Sequence, residues 1–70
     1  MEAFKYIQWR NIYSGEEGYV QMIRKTQKCF INTTDKQSAH KYRSETDARD
    51  AVNVLIEIGE GRNNIFMIVE

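Results

Sequence analysis

The chain has no proline, one cysteine and one histidine among its 70 residues. Without proline nothing blocks strand or helix locally, and the turns must rely on Gly, Asn, Asp and Ser. A single cysteine, Cys29, excludes an internal disulfide. With His40 as the one histidine, an ordinary Cys/His zinc site cannot be assembled, and no cofactor is expected. The longest apolar run is Ile65–Val69, far short of the roughly 18 residues a membrane span needs, so no membrane partner is expected. Met1-Glu2-Ala3-Phe4-Lys5 lacks the basic start, apolar middle and small-residue cleavage site of a signal peptide. Together with the lone cysteine, this makes a reducing cytoplasm the expected location.

What is present suits one small folded domain. The composition is 41% apolar and 29% charged, too apolar and too balanced for disorder. A chain this short buries only about 60% of the surface its unfolded form exposes. With no disulfide or metal to compensate, good packing or self-association must do so, and a homodimer is favoured over a monomer.

Residues 3–10 are rich in aromatic and β-branched types and read as a strand. Phe4, Tyr6 and Gln8 alternate with Lys5, Ile7 and Trp9, and neither set is cleanly polar. Either both faces are partly covered or one is a binding face. Residues 11–18 form a loop, 19–25 a second strand and 28–32 a third, with Thr26-Gln27 turning between them. Val20, Met22 and Arg24 share one side of the second strand.

The period changes at Thr34-Asp35, where a short helical turn is expected through Tyr42, with Ala39 and Tyr42 on one side. The main helix starts at Ser44, where Ser44-Glu45-Thr46-Asp47 resembles a capping box, and carries an apolar stripe of Ala48, Ala51, Val52, Leu55 and Ile58. Gly59 stops it as a left-handed cap, residues 61–64 turn, and Ile65–Val69 forms a last strand, apolar on both faces. The expectation is an α+β fold of order β-β-β-α-α-β. A three-stranded antiparallel meander is covered by the main helix, and the C-terminal strand returns to the sheet. That strand is placed centrally, or at an edge buried by another copy. The expected core is Val20, Met22, Phe30, Ala48, Ala51, Val52, Leu55, Phe66 and Ile68.

No catalytic constellation is legible. Cys29 as a nucleophile needs a base and an orienting group; a small hydrophobe in a strand is the simpler reading. His40 lies in a polar stretch and reads as a solvated side chain. Glu16 and Glu17 are neighbours in a loop, unlike carboxylates facing each other across a substrate. Gly59-Glu60-Gly61 ends a helix and lacks the Lys-Ser/Thr of a phosphate loop.

Charge is more informative. Residues 1–43 hold eight bases and four acids, and residues 44–70 hold two bases and six acids, so a net charge of zero hides halves of +4 and −4. Bases interleaved with aromatics on the meander suit a docking surface. Trp9, Arg10, Tyr13, Tyr19, Arg24, Lys25 and Lys28 are the candidate contacts. A protein partner ranks ahead of nucleic acid, because counterion release needs several bases on one face and the charges cancel overall. The bland alternative is that the aromatics are core and the bases solvate strands and turns.

Tyr19-Val20, Thr33-Thr34-Asp35, Ala39-His40-Lys41-Tyr42, Ser44-Glu45-Thr46-Asp47-Ala48 and Ile65–Val69 together resemble short proteins of unknown function encoded by phages and mobile elements of low-GC Gram-positive bacteria. The shared positions are caps and packing residues. The resemblance implies no catalytic residue. It implies a non-enzymatic accessory protein that binds a host protein and inhibits a defence system. A second, lower-ranked resemblance is to the three-stranded-sheet-plus-helix DNA-binding modules of some integrases and plant transcription factors; the chain lacks the dense Arg/Trp spacing of the plant type, and its charges cancel.

Overall fold

The computed structural model describes residues 3–70. Four strands, β1 (Tyr6–Asn11), β2 (Glu17–Arg24), β3 (Cys29–Thr33) and β4 (Asn64–Val69), form one antiparallel sheet of order β3-β2-β1-β4. One helix, α1 (Glu45–Glu57), packs on one face. The α+β class and the meander agree with the sequence reading.

Several boundaries differ. The expected short helix is only a 3-10 turn at Lys36–Ser38, capped by Asp35, and a second 3-10 turn, Glu60–Arg62, follows the main helix. The C-terminal strand is an edge strand and runs antiparallel to β1. It is not central.

Helix α1 follows from its sequence signals. The Ser44 side chain accepts a hydrogen bond from the Asp47 N–H at 3.2 Å, satisfying one of the donors that a helix start leaves unpaired. Glu45 and Asp47 sit where the helix dipole favours negative charge. Gly59, at φ 98°, takes the left-handed conformation that L side chains resist and turns the chain off the helix.

The stripe of α1 meets Ile7, Trp9 and Val20 from the sheet. Ile7, Val20, Ala48 and Leu55 are fully buried. The Trp9 ring lies 6.0 Å from Phe30 and the Phe30 ring 5.7 Å from Phe66, both edge-on. Phe30 and Phe66 come from opposite edge strands, so the sheet curls around this aromatic row.

Met22 is the misplaced core residue. Val20 pairs with Asn32 and Met22 with Ile31, so Gln21 is an extra residue in a β-bulge. A bulge shifts the alternation by one position. Val20 and Ile23 therefore share the helix side, while Met22 turns away and is 51% exposed. Beyond the bulge β2 leaves β1, and residues 40–42 enter the gap. The His40 N–H donates to the Val20 carbonyl at 3.1 Å, and Lys5 and Tyr42 exchange backbone bonds of 2.8 and 2.9 Å. Tyr42 is thus held by strand pairing and not on a helical turn. Burial pushes its phenol above the ordinary value of about 10.

Gly18 lies beneath Trp9. A Cβ at this position would stand 2.9 Å from the Thr33 carbonyl oxygen and 3.0 Å from Trp9 Nε1. The first of these is backbone and cannot swing aside. Gly18→Ala is expected to cost about 1 to 3 kcal/mol of stability, read from the urea midpoint at unchanged slope.

Candidate docking face

The helix covers one face of the sheet and leaves the other open. Residues pointing away from α1 follow from the register. Tyr6 pairs with Val69, Gln8 with Tyr19 and Met67, and Arg10 with Glu17 and Ile65. Beyond the bulge, Met22 pairs with Ile31 and Arg24 with Cys29. All of these side chains share the open face, because directly paired residues project to the same side.

Gln8 stands between Tyr19 and Met67 in the middle of this face, Ile65 shares a row with Arg10 and Glu17, and Met22 lies beyond the bulge beside Ile31. Tyr6 and Tyr19 meet edge-on with centroids 6.5 Å apart. Met22, Ile65 and Met67 on the same face are exposed by 51%, 53% and 40%. Lys36 bounds one side, its ammonium 5.0 Å from the Tyr6 ring. Lys5 donates to the Glu70 carboxylate at 2.6 Å, and this hydrogen bond, with the Lys5 charge behind it, holds the Glu70 carboxyl below its usual range. The accessible surface, 4996 Å², exceeds the roughly 4,600 Å² expected for a monomer of 8.3 kDa.

The candidate contacts divide. Arg10, Tyr19 and Arg24 stand on the open face. Tyr13, 79% exposed, lies in the β1–β2 connection. Lys25 and Lys28 lie at the other end of the sheet, in the β2–β3 turn, where Lys28 adopts a left-handed φ of 56°. Trp9 is a correction. It points into the core, is 9% exposed and packs on Phe30, so it cannot touch a partner while the domain is folded.

The apolar half of the face, Tyr6, Met22, Ile31, Ile65 and Met67, is absent from the sequence-based set. The signal that could have found it is the double-sided apolar character of residues 3–10 and 65–69. Cys29 is half-buried, its thiol donating to Gln27 Oε1 at 4.0 Å, and the His40 ring lies 4.5 Å from that of Tyr42. No group of acidic, Cys and His residues among the described residues could hold a metal ion.

No family model, curated protein or solved structure matches the chain. Among the described residues no helix is long and apolar enough to cross a membrane.

Proposed function

We propose that the chain is a non-enzymatic interaction protein that docks on a larger protein through its open sheet face. The observation that carries this reading is the exposure of three large apolar side chains, Met22, Ile65 and Met67, on the open face that also holds the half-buried Tyr6–Tyr19 pair. Met, Tyr and Arg on one face match the composition of protein interfaces. A nucleic-acid platform calls for bases along the whole face. Here Arg10 stands between Glu17 and Ile65, and the next row is Tyr19, Gln8 and Met67, without a base. The resemblance of Tyr19–Val69 to phage and mobile-element proteins supports taking the partner to be a host protein. Inhibition of a defence system is the outcome that reading entails.

The test is a pull-down from host lysate with and without nuclease, using the wild type and a Met22→Glu/Met67→Glu variant. Both sites are solvent-exposed, so the variant should keep its thermal midpoint within a few degrees. It should lose at least about tenfold in capture of a partner that survives nuclease. Equal capture by the two proteins removes the open face as the contact. Enrichment abolished by nuclease assigns the face to nucleic acid instead.

A further inference from the structure

We infer that β4 is a self-association edge, pairing antiparallel with β4 of a second copy about a two-fold axis at Phe66 and joining two sheets into one of eight strands. This goes beyond the docking reading and uses a different surface, the rim of the sheet.

The first support is the backbone. The Ile12 N–H donates to the Asn63 carbonyl at 2.8 Å. Antiparallel pairs alternate in where their N–H and C=O groups point. In the register of Ile65 with Arg10 and Met67 with Gln8, Ile65, Met67 and Val69 therefore bond to β1. Asn64, Phe66 and Ile68 direct theirs away from β1, and among the described residues β4 has no second strand neighbour. This free edge is about 20 Å long at roughly 3.4 Å per residue.

The second support is the missing guard. Natural edges are blunted by charge, proline, a bulge or extreme shortness. Asn64–Val69 has no charge and no proline, pairs with β1 without a shift, and is six residues long. The opposite edge, β3, is five residues long, is preceded by Lys28 and ends in Asn32-Thr33.

The third support is self-complementarity. Centring the two-fold on Phe66 pairs Asn64 with Ile68 and Phe66 with its own copy, so all three outward-facing residues find a partner. Sliding the centre to Ile65 would leave Ile68 opposite Arg62, which lies in the 3-10 turn and outside the strand. Beside the edge, a groove between α1 and β4 is lined by Val52, Ile56, Phe66 and Ile68 and by the Glu45–Arg49 ion pair, with Ile56 56% exposed. A two-fold at Phe66 brings the mixed apolar and charged grooves of both copies together.

The experiment is sedimentation equilibrium across a concentration series, paired with amide exchange on the same samples. The wild type should approach twice its 8.3 kDa mass as concentration rises. Protection of the Phe66 and Ile68 amides should rise with it, while the Met67 amide, bonded to β1, is protected throughout. The Phe66 N–H faces away from β1, so an N-methyl group on the Phe66 amide, introduced by chemical synthesis, should leave the fold intact and weaken the dimer at least about tenfold. A monomer up to millimolar concentration overturns the inference. So does a dimer whose Phe66 and Ile68 amides exchange freely, and a chain N-methylated at Phe66 that dimerises as the wild type does overturns the pairing centred on Phe66.

Discussion

Trp9→Ala is expected to leave the domain largely unfolded at 37 °C. Removing a buried aromatic ring costs about 3 to 5 kcal/mol. A chain of this length has only about 4 to 10 kcal/mol in total, at roughly 0.05–0.15 kcal/mol per residue. The ring is the middle member of the curled row, touching Phe30 and lying over Gly18, and it pairs with Phe66 across the β1–β4 ladder. Its removal opens a void between both halves of the sheet. Trp9→Phe separates packing from polarity. Trp9 Nε1 is buried with no hydrogen-bond partner among the described residues, a burden that Phe does not carry. Trp9→Phe should therefore cost well under half as much as Trp9→Ala in urea unfolding. If Trp9→Ala kept a wild-type midpoint, the core as described would be wrong. The same expectation governs binding work, because a loss of partner capture on removing Trp9 reports unfolding and not a lost contact.

Leu55→Ala is expected to cost about 2 to 5 kcal/mol and to lower the thermal midpoint by at least about 10 °C. Leu55 is fully buried and is the largest such residue on α1. Its place is fixed by helical spacing from Ala48, with Ala51 and Val52 beside it. These neighbours are small or β-branched and cannot flow into the space a lost isobutyl group leaves, so little of the cavity should collapse. Differential scanning calorimetry checks this. A shift of only a degree or two would mean that α1 is not seated on the sheet as described.

The helix was legible because its signals are local. Ser44, the stripe and Gly59 lie within one stretch and depend on nothing distant. Met22 was not legible, because a bulge leaves no mark on a short alternation: Gln21 polar and Met22 apolar fit a straight strand equally well. The extra residue is revealed only by pairing with β3. Trp9 failed for a related reason. Both alternating sets of residues 3–10 are mixed, and the choice of inward face is made by a helix some forty residues downstream. Residues 39–42 were read by helical spacing, whereas the gap left by the diverging β1 and β2 draws them into strand pairing. On the open face, Arg10, Tyr19 and Arg24 stood out by residue type. Ile31, Ile65 and Met67 did not, since an apolar side chain in a strand is ordinarily core.

The position of β1 between β2 and β4 also dictates the order in which the sheet can form. The β2–β3 hairpin joins neighbours and can close early. The other side of β1 is completed only by residues 64–69, after a loop of more than fifty residues has been drawn shut. Loop closure of that length is slow compared with a hairpin. During synthesis β1 must therefore wait, half paired, until the final strand is made, and side-chain truncations in β4 should act mainly on the rate of unfolding rather than of folding.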